Sequence, residues 1–431
     1  MRILINSINF SPELTSTGKY AGEMAEWLAA RGHSVRAVAS PPHYPQWRLL
    51  DGYSSWRYRK EKLTLPVGSQ GTLEVFRCPT WIPRVPRGFK RILYLATFSL
   101  SSWLPMLTQI FWHPDVVLLV EPTFFGCPQT LCVARLSGAV AWLHVQDLEV
   151  DVAFQLKDFS SDRLRRWVHS LEAVLLRKFD RVSSISGRMV ERLSEKGVSA
   201  QQSVLFPNWV DTSAIHPLST PSPFREELGI PKESIVALYS GNMGLKQGLD
   251  LLVDASRRLA YRSDIRWIFC GDGSYKETFV QMVGEAKNVT FLSVQPADRL
   301  NELLNLADIH LLPQRGDAAD LVMPSKLTGI MASGRPVVAT AGEGTQLATA
   351  LTGKGISTHP GDVAAFADAV LCLADDRELR VRMGAEARKF ATIHFNRHEI
   401  LSCFEVSLME ASRYSRESLR SGLSKSPVAD P

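Results

Sequence analysis

Two lysines sit where phosphate chemistry would need them. The apolar stretch Ile235–Tyr239 breaks into a glycine-bearing loop, Ser240–Gly248. Lys246 lies in that loop, and apolar residues then recur at Leu249, Leu252, Val253, Ala255 and Leu259 with a helical period. Strand, glycine loop and helix start together present backbone N–H groups and the positive helix end to an anion. A lysine there adds a full charge where a diphosphate would lie; read as a plain turn, the loop leaves Lys246 solvated. Lys326 repeats the arrangement, because Pro324-Ser325 starts a helix that Gly334 stops before the buried run Val337–Ala339. Neither loop ends in Gly-Lys-Ser/Thr or reads Gly-x-Gly-x-x-Gly, so neither an ATPase nor a dehydrogenase follows. A third candidate is the end of the strand Ala139–His144, where the chain turns acidic at Asp147, Glu149 and Asp151. Ligands of open α/β sheets bind beyond the carboxyl ends of strands, which places His144 and Asp147 where chemistry is expected. The alternative is a buried histidine and a loop aspartate.

The elements that must carry these residues alternate. Arg2–Ser7 reads as a buried strand, Asn9–Lys19 as a polar loop, Tyr20–Arg31 as a helix closed by Gly32-His33, and Val35–Ala39 as the next strand. In this opening Gly18 would let the backbone approach a ligand at the helix N-terminus, and His33 belongs to the turn. Pro41–Trp56 reads as a long irregular loop, of the kind that is usually functional or mobile. Strands follow at Leu73–Phe76 and Asp115–Val120, helices at Phe125–Leu136 and Leu164–Arg177, and a further strand at Asp180–Ser184. Ser186 would cap the helix Gly187–Lys196. After the Pro/Ser-rich stretch Pro217–Pro223 the alternation begins again. Strands at Ile235–Ser240, Ile265–Cys270, Val289–Leu292 and His310–Leu312 are interleaved with helices, and amphipathic helices close the chain at Asp362–Leu373, Glu378–Phe390 and Arg397–Ala411.

Length and composition set limits. At 431 residues two or three domains are expected, and 45% apolar with 22% charged residues is globular. The expected division is 1–208, 209–395, a terminal helix 396–414 packing back on the first domain, and a disordered Ser/Arg-rich tail 415–431. A net charge of +5 suits anionic ligands or lipid but is too weak to argue for nucleic acid, and no RNA-reading or zinc-finger motif occurs. The six cysteines form no Cys-x-x-Cys pair and read as reduced thiols. With an opening run that stops at Asn6, too short for a signal peptide, the expected location is cytoplasmic. Ile92–Trp112 holds 21 residues without a formal charge behind Arg84, Arg87, Lys90 and Arg91. Pro105 and interspersed Ser and Thr argue against a span, leaving an ordinary packed helix or a helix lying on anionic lipid at the inner face of the plasma membrane, with contact through 84–112.

Two Rossmann-like halves with a final helix resemble the GT-B glycosyltransferases: α/β, two doubly wound domains facing a cleft, with the C-terminal helix crossing back to the first. Ser240–Leu249, Cys270-Gly-Asp-Gly273, Pro324–Leu327 and Ser333–Val337 resemble the donor half of retaining glycosyltransferase family 4. Asn9–Leu14 with Gly18-Lys-Tyr20, Ala39–Trp47 and His144–Asp147 resemble the colanic-acid-type exopolysaccharide enzymes within it.

The resemblance implies transfer of a sugar from a UDP- or GDP-sugar to a polyprenyl-diphosphate-linked saccharide, with retention and with no metal or cofactor. It assigns the donor diphosphate to Gly18, Gly241, Asn242, Gly244, Lys246, Ser325 and Lys326, and the base and ribose to the vicinity of Gly271, Asp272, Gly273, Gln295 and Asp320. Lys246 would serve catalysis by neutralising the leaving diphosphate, while His144 and Asp147 would orient the acceptor hydroxyl. Two departures stand out. The usual arginine before the lysine is Asn242, and the ribose-holding glutamate aligns with Gly329. Other readings are a non-catalytic nucleotide-sugar-binding component of an assembly complex, or another GT-B enzyme such as an epimerase or phosphorylase.

Overall fold

The computed structural model describes residues 1–13, 16–84, 88–120, 124–147, 162–244, 247–315 and 324–420. It forms two compact units. One comprises Met1–Pro207 and the chain from Leu401 on, the other Asn208–Ile400.

The first unit is built on an eight-stranded sheet of order β3-β4-β2-β1-β5-β6-β7-β8. Its strands are β1 (Arg2–Ser7), β2 (Ser34–Ala39), β3 (Arg59–Lys62), β4 (Thr72–Arg77), β5 (Val116–Val120), β6 (Val140–Val145), β7 (Arg181–Ser184) and β8 (Ser203–Leu205). All neighbours run parallel except the edge pair β3 and β4. The crossovers carry α1 (Ser16–Ala30), α2 (Phe89–Thr108), α3 (Cys127–Ser137), α4 (Asp162–Leu176) and α5 (Gly187–Glu195), a 3-10 turn prolonging α2 through Gln109–Trp112. Central strands of such a sheet are covered on both faces, which is why Val-Val-Leu-Leu-Val of β5 is buried throughout. Ser186 caps α5 as its sequence implies, accepting from Met189 N.

The second unit carries six parallel strands of order β11-β10-β9-β12-β13-β14. They are β9 (Ile235–Ser240), β10 (Ile265–Cys270), β11 (Val289–Leu292), β12 (Ile309–Leu312), β13 (Val337–Thr340) and β14 (Gly355–Thr358). Helices α6 (Phe224–Glu227), α7 (Asp250–Arg258), α8 (Lys276–Val283), α9 (Leu300–Leu306), α10 (Lys326–Ala332), α11 (Gln346–Leu351), α12 (Val363–Asp375) and α13 (Arg377–His394) connect and cover them. Trp267, Phe269, Phe279 and Phe366 centre a core on one face, while Leu327, Met331, Ala387 and Ala391 fill another. Both sheets are doubly wound in the Rossmann manner, the α/β class the sequence implied.

Three local expectations change. Helix α1 begins at Ser16 instead of Tyr20, so Gly18 lies in its first turn. The edge strand β3, Arg-Lys-Glu-Lys, has no apolar alternation to announce it. The last helix, α14 (Arg397–Arg420), runs past Ala411 into the first residues, 415–420, of the segment read as a disordered tail. Leu401, Phe404, Leu408, Ala411 and Ser415 recur three and four apart and are all buried, giving it a face to bury despite its Ser/Arg-rich surface. Phe404 stacks on Phe206 at 3.8 Å, and Glu405 accepts from His33 Nε2 at 2.7 Å. His33 is therefore no mere turn residue: its Nδ1 meets the N-terminal amine at 3.1 Å.

Candidate functional site

In the second sheet the strand order reverses between β9 and β12, so the loops after these strands leave in opposite directions and open a crevice at their carboxyl ends. The loop after β9 holds Gly241, Asn242 and Gly244; α10, which follows β12, brings Lys326. These residues meet. Lys326 Nζ donates to Tyr239 Oη at 2.6 Å and lies 4.2 Å from the centre of the Tyr239 ring, a cation–π contact. The Tyr239 hydroxyl in turn donates to the Asn242 carbonyl at 2.6 Å. Burial pushes the Lys326 ammonium down to about 7 and raises the Tyr239 phenol above its ordinary value. Among the described residues no carboxylate pairs with Lys326, so an anion arriving here would meet a cation whose charge it restores.

Gly241 makes this possible. Its φ is +134°, and a Cβ there would stand 2.4 Å from Lys326 Cε. The loops after β9 and β10 also press backbone on backbone. Gly241 N donates to Cys270 O at 2.9 Å, Met243 N to Asp272 O at 2.8 Å, and Tyr275 N to Met243 O at 2.9 Å. A Cβ on Gly271 would lie 1.9 Å from Gly241 O, and one on Gly273 would lie 2.5 Å from Asn242 Oδ1. Asp272 closes on its own loop by accepting from Gly273 N at 2.8 Å. Gln295, after β11, folds back on Ser293 O at 2.9 Å. The structure thus gathers Gly241, Asn242, Gly271, Asp272, Gly273 and Lys326 at one edge, with Gly244 and Gln295 on the loops beside them. Ser325 precedes α10 but makes no side-chain cap, so among the described residues it contributes position and not a capping hydroxyl. Gly329 has no side chain to hold a ribose, and a Cβ there would lie 3.3 Å from Leu304. Lys246 and Asp320 lie outside the described residues.

The first unit yields corrections. Gly18 does not hold open a space for a ligand. A Cβ on it would stand 2.5 Å from Glu13 Oε2, so the chain's own carboxylate fills the gap. Glu13 is buried and accepts from His43 N at 2.9 Å, Tyr44 N at 3.0 Å and Asn9 Nδ2 at 2.9 Å. It fastens the loop after β2 to the loop after β1. Arg77, also buried, ties the same loops by donating to Ser40 O at 3.1 Å and to Ser11 O. His43 Nδ1 donates to Pro41 O at 2.8 Å, and burial lowers the imidazole below its ordinary value against the pull of Glu13. Trp47 and Tyr94 pack edge-on against that ring at 5.5 and 5.3 Å.

His144, expected to face a ligand, is a buried neutral imidazole. Its Nδ1 meets Ser183 Oγ at 2.9 Å and its Nε2 meets Gln146 Nε2 at 3.0 Å. Gln146 can only donate there, so the proton is on Nδ1 and both nitrogens are engaged. Burial pushes its pKa down to about 3. His144 therefore positions Gln146 and offers no free nitrogen. Asp147 is half-buried just beyond, and with Glu13 and burial it helps push the Tyr44 phenol up to about 12. Asp147 thus belongs with Glu13 and Tyr44 at the carboxyl edge of the first sheet. Among the described residues no three His, Cys, Asp or Glu side chains gather as a metal site.

Tyr239 and Glu13 escaped sequence reasoning. Tyr239 lies one residue before the glycine loop and reads as strand. Glu13 sits inside the Asn9–Leu14 motif, an acid between two apolar elements, and that placement was its only signal.

Comparison with known proteins agrees with this geometry. Residues 222–390 match the family Glycosyl transferases group 1, and residues 16–209 match Glycosyl transferase 4-like domain. Over 368 residues the chain is 39% identical to WcaI of Escherichia coli K12, a protein assigned as a colanic acid biosynthesis glycosyl transferase, covering 84% of this chain and 87% of that one. Among solved structures, sucrose-phosphate synthase from Thermosynechococcus elongatus superposes with a TM-score of 0.73 at 17% identity, covering 95% of this chain and 98% of that one. HepE of Anabaena, solved with UDP and glucose, gives a TM-score of 0.68 at 17% identity over 95% of this chain and all (100%) of its own. The fold is GT-B.

Proposed function

Because the chain belongs to the glycosyltransferase family of its Escherichia coli relative, built from a 4-like and a group 1 domain, we propose that it transfers a sugar from a nucleotide-sugar donor to a lipid-linked saccharide during surface polysaccharide biosynthesis. The observation that carries this is the Lys326 ammonium on Tyr239, under Gly241, at the switch point of the second sheet.

A donor's diphosphate would meet Lys326 there, with Lys246 as the second cation. As the glycosidic C–O bond breaks, negative charge grows on the diphosphate, so fixed cations stabilise the transition state more than the ground state. In this reading the two lysines take the charge-neutralising role that a metal ion plays elsewhere. Asp147 orients the acceptor hydroxyl, Gln146 being held beside it by His144. No protein nucleophile is assigned, and retention follows the stereochemistry of the family the sequence resembles. UDP is the first donor base to test, since HepE was solved with it. The polyprenyl-diphosphate acceptor suits an Escherichia coli relative assigned to colanic acid synthesis.

The test is release of nucleoside diphosphate from a panel of UDP- and GDP-sugars with membrane lipid extract as acceptor, with and without chelator. Chelator-insensitive turnover of one donor, with an anomer of unchanged configuration by NMR, is expected. Donor binding with no turnover on any acceptor would point instead to a non-catalytic binding component.

A further inference from the structure

We infer that the outward face of α2 is a docking surface for an anionic lipid membrane, along which the helix lies. At about 100° per residue, Phe89, Ile92, Leu93, Leu100, Leu104 and Leu107 fall within roughly a third of the helix circumference. All six are exposed, Phe89, Leu100 and Leu104 by 74%, 73% and 62%, and Phe111 in the following turn by 86%. The opposite arc, Tyr94, Leu95, Phe98, Ser99, Ser102, Pro105 and Met106, is buried. It is fixed to the unit by Gln129 Nε2 donating to Ser102 Oγ at 2.8 Å and by Ser99 Oγ donating to Phe125 O at 2.6 Å. The helix is thus anchored on one side and bare on the other.

Charge selects the occupant. From Phe89 to Trp112 there is no Asp or Glu. The N-terminal end carries Arg84, Lys90 and Arg91, all exposed. Pro105 has no N–H to give the Ser101 carbonyl, and the Tyr58 hydroxyl takes that place at 2.8 Å. That bond ties the segment Trp56-Arg57-Tyr58 to the helix, with Trp56 exposed by 76% and Arg57 also exposed. An apolar stripe with basic residues at its end and a tryptophan and tyrosine nearby matches the boundary between acyl chains and anionic headgroups. In a two-fold pairing of copies the same basic surface would meet its like. No described helix is long and apolar enough to cross a membrane, which leaves the lying orientation.

The test is sedimentation with vesicles of phosphatidylcholine alone and with phosphatidylglycerol added, read without turnover and so independent of glycosyl transfer. Wild type should bind the anionic vesicles at least tenfold more tightly than the neutral ones, and less tightly as salt rises. Leu100→Glu with Leu104→Glu, at exposed positions and with an unchanged melting curve, should lose at least tenfold. A fluorophore on Leu104→Cys should shift to the blue on anionic vesicles, while one on Tyr261→Cys in the other unit should not. Absence of wild type from both vesicle types, or equal binding by the double variant, would overturn the inference. So would a wild-type dimer that the double variant abolishes while vesicles draw neither.

Discussion

Affinity for a donor diphosphate should fall as pH rises above 7, because the cation that receives it is losing its proton. In the free protein burial holds the Lys326 pKa near 7. A bound diphosphate favours the ammonium and raises that value, so binding takes up a proton wherever the free lysine is neutral. The sign follows: affinity is full below pH 7 and is lost as pH climbs through 7. For one site with pKa 7 in the free protein, Kd should rise about fivefold from pH 7 to 8 and about fiftyfold from pH 7 to 9. Isothermal titration with UDP and GDP in parallel, in two buffers of different ionisation enthalpy, reads this directly; at pH 8 uptake should be about 0.9 proton per site. Lys326→Arg stays charged throughout and should show a flat profile. A wild-type Kd unchanged from pH 7 to 9 with no proton uptake would refute the placement of the diphosphate, as would the same rise in the arginine variant.

Tyr239→Phe removes the hydroxyl between Lys326 and the Asn242 carbonyl. Steady-state kinetics should show donor KM raised by about fivefold, roughly 1 kcal/mol, with kcat little changed. Gly241→Ala places a Cβ 2.4 Å from Lys326 Cε and should displace the ammonium. Its donor affinity should fall as far as that of Lys326→Met, by about 10- to 150-fold for one charge-assisted hydrogen bond, on titration. Glu13→Ala leaves the buried N–H groups of His43 and Tyr44 unpaired. Urea unfolding of the first unit should show a loss of about 2–6 kcal/mol, each of the two orphaned donors costing about 1–3.

Alternating apolar runs and helical stripes made the doubly wound fold readable, since each strand of a covered parallel sheet is a short continuous apolar run. The same feature hid His144's role. In Val-Ala-Trp-Leu-His-Val every residue is buried, so periodicity could not say which face a side chain takes. Trp142 and His144 share a face, as residues two apart must, and both bind Ser183 Oγ on the next strand. Glu13 was illegible for another reason. Its backbone partners are amides 30 and 31 residues away, joined to it only by the fold. Gly18 looked like an opening for a ligand because a sequence shows the missing Cβ and not what fills the gap. The last helix was cut short because its Ser/Arg-rich surface outweighed a buried stripe of one residue per turn.

The most direct measurement follows the sugar itself: radiolabel from the donor that titration selects, traced into organic-solvent-extractable material by wild type, Lys326→Met and Lys246→Ala on membrane lipid extract. Lipid-bound label from wild type, reduced at least tenfold in each lysine variant, is the predicted result. Donor binding with no label in the lipid fraction, or equal labelling by the lysine variants, would contradict sugar transfer at this site.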